Sequence, residues 1–149
     1  MSIIRITKVF NFEMAHALYG YDGPCKNIHG HSYSLCITIS GNPNDDNNNP
    51  KNGMVMDFGE LKSIANDLII KHFDHSLVLN ENSPHREFND IGLFEKVVFT
   101  PFQPTCENML IYFVNIIKNN LPENVSLFSA KLRETETSYA EWHQSDNLN

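Results

Sequence analysis

The amino-acid sequence predicts one α+β domain, residues 1–149, in which an antiparallel sheet carries two helices packed on one face. Three segments, 4–16, 29–40 and 126–136, alternate apolar and polar residues as half-buried strands do. Two further segments repeat apolar residues at helical spacing. A chain of 149 residues with 41% hydrophobic composition is long enough for one core and too short for two.

The first predicted strand runs from Ile4 to His16, and its alternate residues form an apolar face that only Lys8 interrupts. That face is made by Ile4, Ile6, Phe10, Phe12, Met14 and His16. The second strand begins at about His29 and continues to Ser40. Its apolar side holds His29, His31, Tyr33, Leu35, Ile37 and Ile39. In an antiparallel hairpin the end of the first strand lies beside the start of the second, so three histidines meet at one rim of the sheet.

Three imidazoles at one rim predict a metal site. Residues i and i+2 of a strand point to the same side, so His29 and His31 can bind one ion, and His16 supplies a third nitrogen. Zinc suits such ligands, and three neutral nitrogens leave a fourth position open, as in catalytic zinc sites. The alternative is that one or more of them are ordinary core histidines.

Two helices are expected between the second and third strands. A short strand over Met54–Phe58 leads into the first helix. Asp57 is the N-cap of this helix, and Glu60 is in the capping-box position. The buried stripe of this helix is Leu61, Ile64, Ala65 and Leu68, and the helix should end near Phe73. The stripe of the second helix is Leu110, Phe113, Val114, Ile117 and Leu121, and Pro122 ends it. A short strand is possible over Phe94–Phe99.

Four acidic or imidazole residues outside the histidine group have both a functional and a simpler interpretation. Asp74 and His75 follow the first helix, where a histidine can simply interact with the helix dipole. Glu107 lies in the first turn of the second helix, where a negative charge is favourable by itself. Glu134 extends the face formed by Phe128, Ala130 and Leu132 in the last strand. Either it lies in water at a frayed rim, or a ligand with N–H groups pairs with it, because an unpaired buried charge is costly.

Composition excludes several classes of partner. A formal charge of −7 with only 11 Lys and Arg argues against nucleic acid or an anionic membrane as the main partner. The N-terminus enters strand alternation directly, without an apolar run typical of a signal peptide or a transmembrane span. Three cysteines in unrelated contexts do not form a disulfide framework. We therefore expect a cytoplasmic protein.

Six motifs, in order along nearly the whole chain, resemble the family of 6-pyruvoyltetrahydropterin and 6-carboxytetrahydropterin synthases. They are Phe-Asn-Phe-Glu-Met-Ala before His16, Cys25-x-x-x-His29-Gly-His31, Gly53-Met-Val-Met-Asp57-Phe, Asp74-His75, Pro104-Thr-Cys-Glu107-Asn, and Glu134-Thr. The three-residue gap between the cysteine and the first histidine is similar to that of the carboxytetrahydropterin synthases of queuosine biosynthesis. The pyruvoyl enzymes have a longer insert there.

The resemblance implies a tunnelling fold (T-fold) whose subunits assemble into a barrel, as a trimer or a hexamer of two stacked trimers. Active sites then lie at subunit interfaces, and the substrate is 7,8-dihydroneopterin triphosphate. It also implies residue roles. Zinc is held by His16, His29 and His31, the catalytic thiol is Cys25, its proton relay is Asp74 with His75, and the pterin is bound by Glu134 with Thr105 and Glu107 nearby. Without the resemblance, Cys25 is interpreted as a small loop residue with no functional role, and Cys36 and Cys106 are interpreted as structural residues.

Three functions are compatible with these residues. The resemblance favours formation of 6-carboxytetrahydropterin with release of acetaldehyde and triphosphate. The nearest alternative is the pyruvoyl reaction, which eliminates triphosphate and leaves the carbon chain intact. An alternative of another class is an oligomer that binds zinc or pterin without turnover. Lys26, Lys51 and Arg86 are possible triphosphate ligands, but none lies at a diagnostic spacing.

Overall fold

The computed structural model describes residues 2–90 and 92–148, and it contains one six-stranded sheet and two principal helices. The strands are β1 (Ile4–His16), β2 (His29–Gly41), β3 (Ser76–Asn80), β4 (Val97–Thr100), β5 (Val125–Thr135) and β6 (Ser138–His143). Helix α1 comprises Phe58–Ala65, a π-helical turn over Asn66–Ile70 and a last turn over Lys71–Phe73, and helix α2 is Cys106–Asn120. Short 3₁₀ turns cover Pro24–Lys26, Pro84–Asp90 and Gln144–Asn147. The order across the sheet is β4-β3-β1-β2-β5-β6.

The sheet is mixed, whereas the sequence analysis expected antiparallel pairing throughout. The predicted hairpin is present, since β1 pairs antiparallel with β2, β2 with β5, and β5 with β6. Strand β3, however, pairs parallel with β1, and β4 pairs parallel with β3. A parallel neighbour needs a long crossover connection, and α1 provides part of it between β2 and β3.

Strand β3 was not predicted because its sequence does not alternate. Ser76, Leu77, Val78 and Leu79 are all buried. Val78 packs in the main core, whereas Leu77 and Leu79 join a smaller cluster with Ala17. A strand that is covered on both faces has a continuous apolar run, which periodicity alone does not identify as a strand.

Both helices pack on the same face of the sheet, as predicted, and their buried residues form the main core with β1, β2 and β5. In α1 these residues are Leu61, Ala65, Ile69 and Phe73. The predicted Leu68 is only half-buried, and Ile69 takes its place. The cause is the π-helical turn, since its wider winding moves the residue that faces the sheet by one position. In α2 the predicted residues Leu110, Phe113, Val114 and Ile117 are buried, and Leu121 is half-buried.

Three other local predictions need correction. Met54–Phe58 forms no strand, although Asp57 does cap α1 by accepting the Gly59 N–H at 2.7 Å. The possible strand at Phe94 begins only at Val97. Phe128 does not share the buried face of β5, because the pairing of β2 with β5 shifts there and makes it the extra residue of a bulge. Its ring instead lies under the Arg5 guanidinium, 3.6 Å from the ring centroid.

Strand β6 follows β5 after a tight turn and was not predicted. Its residues Ser138, Tyr139 and Ala140 bring new side chains to the rim where the histidines lie.

Among the residues described, neither helix is long and apolar enough to cross a bilayer.

Candidate active site

The three histidines converge at one rim of the sheet, as the strand pattern predicts. His16, the last residue of β1, lies opposite His29, the first residue of β2, and Met14 lies opposite His31. One ring nitrogen of each histidine lies within 4.8 Å of the other two. His16 is buried, with 1% of its surface exposed, and the other two rings are half-buried. The pairing of β1 and β2 therefore creates a compact group of three imidazoles.

Backbone carbonyls fix the protonation of two of these rings. His16 Nδ1 lies 2.7 Å from the carbonyl oxygen of Pro104, and His29 Nδ1 lies 2.7 Å from that of Asn27. A carbonyl oxygen can only accept, so each Nδ1 carries the proton and each neutral ring has a bare Nε2. Yet the two Nε2 atoms are only 3.0 Å apart. Two facing lone pairs repel each other unless a cation lies between them, so this pair is arranged as metal ligands are.

The surroundings favour neutral rings. Burial lowers the pKa of His16, and the hydrogen bond to Pro104 offsets part of this effect. Burial also lowers the pKa of His31, partly against the negative charge of Glu134. Neutral imidazole is the form that binds metals, so the donor atoms fit a zinc ion or a similar divalent metal.

Glu134 faces the histidine group directly. Its Oε1 lies 3.6 Å from Nε2 of His16 and 3.6 Å from Nε2 of His31. The carboxylate is on the same face of β5 as the buried Ala130 and Leu132, as the alternation predicts, and its side chain is 25% exposed. The sequence left two alternatives for Glu134, a position in water at a frayed rim or pairing with a ligand, and it did not predict this approach to two imidazoles.

Tyr33 is a site residue that the sequence analysis placed on the right face but gave no role. Its hydroxyl donates to Glu134 Oε1 at 3.3 Å, and only 1% of the residue is exposed. The ring stacks on Phe12 with a centroid distance of 5.3 Å and meets His31 edge-on at 5.5 Å. Burial and the Glu134 charge raise the pKa of Tyr33 well above its ordinary value, so the hydroxyl remains a donor. Its position two residues after His31 is the signal that it faces the same centre.

A cavity of about 350 Å³ lies beside the histidines and contains most of the predicted site residues. Its lining includes His16, Cys25, Thr105, Glu107 and Glu134. Tyr139 of the unpredicted strand β6 also lines it. Thr105 is the N-cap of α2, where its hydroxyl accepts the Asn108 N–H at 3.2 Å, and this places Glu107 in the first turn.

Two cysteines border this region, and they differ in accessibility. Cys25 lies in the 3₁₀ turn Pro24–Lys26, is half-buried, and is held by its carbonyl, which accepts the Leu18 N–H at 3.0 Å. Cys106 is buried, and its S–H donates to the Leu132 carbonyl at 3.3 Å. Burial raises the pKa of Cys106 to about 11, so it stays a thiol at neutral pH. Of the two, Cys25 is the candidate nucleophile or base.

Asp74 and His75 lie outside that cavity. Asp74 Oδ1 is 3.0 Å from His75 Nδ1, so the predicted pair is formed. His75, in a left-handed conformation with φ of 57°, lines a different open cavity of about 710 Å³ together with Phe94 and Lys96. Within one chain, therefore, the pair and Cys25 do not line the same cavity.

Solved structures share this architecture over nearly the whole chain. An uncharacterized protein from Wolinella succinogenes superposes with a TM-score of 0.80 at 18% identity, covering 97% of this chain and 99% of that one. The 6-pyruvoyl tetrahydropterin synthase of Caenorhabditis elegans gives a TM-score of 0.68 at 24% identity, covering 96% of each chain. These similarities confirm the expected α+β T-fold. The fold and the site together define a T-fold protein with three histidines beside a cavity.

Sequence comparison identifies the family. The family model described as 6-pyruvoyl tetrahydropterin synthase matches residues 5–145, and the chain belongs to this family of enzymes. The 6-carboxy-5,6,7,8-tetrahydropterin synthase of Haemophilus influenzae is 36% identical over 146 residues, which are 95% of this chain and all of that protein. The enzyme of the same name from Rickettsia typhi is 34% identical over 93% of this chain and 99% of its own.

Proposed function

We propose that this protein is a zinc-dependent 6-carboxytetrahydropterin synthase. Its reaction converts 7,8-dihydroneopterin triphosphate to 6-carboxy-5,6,7,8-tetrahydropterin, acetaldehyde and triphosphate, a step of queuosine biosynthesis in the cytoplasm. The observation that carries the proposal is the pair of bare Nε2 atoms of His16 and His29, which lie 3.0 Å apart beside a cavity that is lined by two thiols, Cys25 and Cys106, and two carboxylates. The names of the curated relatives from Haemophilus influenzae and Rickettsia typhi support the carboxy product.

Each predicted site residue has a role in this reaction. A zinc ion on the three histidines supplies Lewis acidity, which polarises substrate oxygens and stabilises developing negative charge. Cys25 removes a proton from the substrate side chain, since it is the accessible thiol of the cavity. Glu134, with Glu107 nearby in the same cavity, pairs with the N–H groups on the pterin edge, because two parallel N–H donors match two carboxylate oxygens. The Thr105 hydroxyl lies beside them in the lining.

A homo-oligomer, trimer or hexamer, explains why Asp74 and His75 lie apart from Cys25. We infer that the pair acts on the Cys25 of a neighbouring subunit, so that active sites form at interfaces. The sheet supports this inference, because within the described residues β4 and β6 each have a strand neighbour on one side only. Open edges of this kind are available to pair with strands of another copy.

Product analysis tests the proposal. Purified protein is incubated with 7,8-dihydroneopterin triphosphate, and the products are identified by mass spectrometry together with an acetaldehyde assay. Acetaldehyde and a 6-carboxy product in equal amounts are the expected result. A pyruvoyl product without acetaldehyde would assign the protein to the alternative reaction, which the family model's description favours. Zinc binding without any product would assign it to the non-catalytic class.

A further inference from the structure

We propose that Lys96 is a positioning residue for the Asp74-His75 pair, and that the reaction rate depends on Lys96 through the His75 ring. The inference rests on the proposed function, in which this pair serves the catalytic thiol. It adds a residue from another part of the chain, because Lys96 lies just before β4, 22 positions after Asp74.

His75 has a backbone conformation that its surroundings must hold. Its φ of 57° lies in the left-handed region, and within the described residues no other residue except glycine has a positive φ. A side chain with a Cβ disfavours this region. Such a conformation persists only where the neighbouring structure determines it, and such residues are concentrated at functional sites. The contacts that hold His75 are therefore candidates for a functional role.

The peptide group that joins Asp74 to His75 is held at both of its polar atoms. Its N–H, which belongs to His75, donates to the Glu13 carbonyl at 2.6 Å. Its carbonyl oxygen, which belongs to Asp74, accepts from Lys96 Nζ at 2.6 Å. On the other side of His75 the chain enters β3 at Ser76, which is buried. Because the chain is fixed on both sides, the direction in which the His75 side chain leaves the backbone is fixed as well.

The Lys96 ammonium makes two hydrogen bonds at this point. Besides the Asp74 carbonyl, it binds the carbonyl of Lys71, in the last turn of α1, at 2.7 Å. Hydrogen bonds from a charged donor are shorter and stronger than those between neutral groups. A lysine that binds the last carbonyls of a helix also has a purely structural interpretation. The Asp74 carbonyl, however, lies beyond α1 and directly before His75, so Lys96 fixes the pair as well as the helix end.

A proton relay depends on the direction of its imidazole. Asp74 Oδ1 lies 3.0 Å from His75 Nδ1, which leaves Nε2 as the nitrogen that exchanges a proton with the thiol. The His75 side chain is 77% exposed, so within one chain the ring is oriented by its backbone and by Asp74. A displacement of about 1 Å at a reacting group can lower a rate about 10²-fold. Loss of the Lys96 ammonium should therefore affect the rate more than the binding of substrate.

Steady-state kinetics with 7,8-dihydroneopterin triphosphate test this dependence. Lys96→Met removes the ammonium and keeps the length of the side chain, and we expect it to lower kcat about 10²-fold with KM and zinc content unchanged. Lys96→Arg, which keeps a charged N–H donor, should restore most of the rate. The control Lys62→Met changes an exposed lysine of α1 and should match the wild type. A lower Tm for Lys96→Met with an unchanged kcat would show a structural role alone and would overturn the inference.

A double variant tests whether Lys96 acts through His75. In a chain that already carries His75→Ala, the added change Lys96→Met should leave the residual rate as it is, because residues that act as a unit are not additive. A further fall in the double variant, by the same factor as in Lys96→Met alone, would show that Lys96 acts independently of His75. The inference would then be wrong.

Crystal structures of the wild type and of Lys96→Met separate this inference from the proposed function. In the variant, His75 should leave the left-handed region or lose its contact with Asp74. An unchanged His75 would overturn the inference at any level of activity. If the wild type forms no product but His75 moves in the variant, the proposed function fails and positioning by Lys96 is supported. Should Lys96→Met fail to fold, Lys96→Gln, which removes the charge and keeps a polar donor, is judged by the same criteria.

Discussion

Asp74 Oδ1 accepts the backbone N–H of Glu13 at 2.9 Å, and this bond ties the end of α1 to β1. The attachment is reinforced by His75, whose N–H donates to the Glu13 carbonyl at 2.6 Å. Lys96 also contributes, because its Nζ donates to the carbonyls of Lys71 and Asp74 at 2.7 and 2.6 Å. The Asp74-His75 pair is therefore fixed in position although both side chains are accessible to solvent.

This arrangement predicts how the stability of the protein depends on pH. The Glu13 N–H, and after it His75, hold the pKa of Asp74 below its ordinary value. The native state therefore binds this proton more weakly than the unfolded state does, so the contribution is present above the ordinary carboxyl pKa of about 3.9 and is lost as pH falls through the lower native value. We expect Asp74→Asn to be less stable than the wild type at pH 7, with a smaller difference at pH 3.

Urea unfolding at pH 7, 5 and 3 measures that difference. Asp67→Asn is the control, because Asp67 makes only an exposed ion pair with Lys71 one turn along α1. A difference between Asp74→Asn and the wild type that is the same at all three pH values would show that the Asp74 charge does not contribute.

Replacement of Cys25 by Ala should abolish catalysis and spare metal binding. Loss of a group that transfers a proton typically lowers the rate about 10²–10⁴-fold. Cys36→Ala is the control, because Cys36 is also half-buried and lies on the opposite side of β2 from the histidines. Steady-state rates and zinc content are measured for both variants. Activity of Cys25→Ala near that of the wild type would overturn the assignment of the thiol.

Replacement of His16 by Ala should remove the stabilisation that zinc gives. A ligand at 100 times its Kd stabilises the native state by about 2.7 kcal/mol, which is readily seen as a rise in Tm. Thermal unfolding with and without zinc is compared for the wild type, His16→Ala and the control His143→Ala, which changes an accessible histidine of β6. A zinc-dependent rise in Tm that persists in His16→Ala would contradict the three-histidine site.

Mixed oligomers test whether Asp74 and His75 serve a neighbouring subunit. Cys25→Ala and His75→Ala should each be inactive alone. When the two chains are unfolded together and reassembled in equal amounts, about a quarter of the interface sites combine an intact Cys25 with an intact His75. We expect recovery of activity toward that fraction. A mixture as inactive as its components would show that both residues are needed in the same chain.

Phe113 is expected to be the most sensitive core position of α2. Its buried ring meets Phe12 edge-on at 6.1 Å and Phe73 at 5.3 Å, so it joins α2 to both β1 and α1. Phe113→Ala should lower the free energy of unfolding by about 3–5 kcal/mol, the usual cost of a large cavity. Ile111→Ala, at an exposed position of the same helix, should change it little. Equal effects of the two variants in denaturant titrations would contradict this packing.

The hairpin and the histidine group were predictable because both depend on short-range periodicity. Alternation fixed the bounds of β1, and an antiparallel partner then places His16 beside His29 without further information. The thiol of the cavity was identified only through the motifs, whereas Glu107 and Glu134 were also singled out by their positions in the second helix and the last predicted strand. That they share a cavity depends on the packing of α2 against the sheet, which the sequence alone does not define.

Three of the missed features involve a local departure from a regular repeat. The π-helical turn replaced Leu68 by Ile69 in the core, and the bulge turned Phe128 to the other side of β5. Strand β3 has no alternation because both of its faces are covered. The role of Tyr33 depends on the carboxylate of Glu134, which is 101 positions away in the chain. A single sequence gives no measure of such distant pairing.

The hydrogen bond from His16 to the Pro104 carbonyl joins the imidazole group to the residue just before the cap of α2. Under the proposed function, metal ligation by the histidines and recognition of the heterocycle in the adjoining cavity are consequently not separable. Substitutions that reshape the cavity around Thr105 to admit a different ring system are expected to displace the Pro104 carbonyl as well, and this carbonyl orients the His16 ring. Redesign of specificity in this scaffold therefore has to treat both centres as one rigid unit.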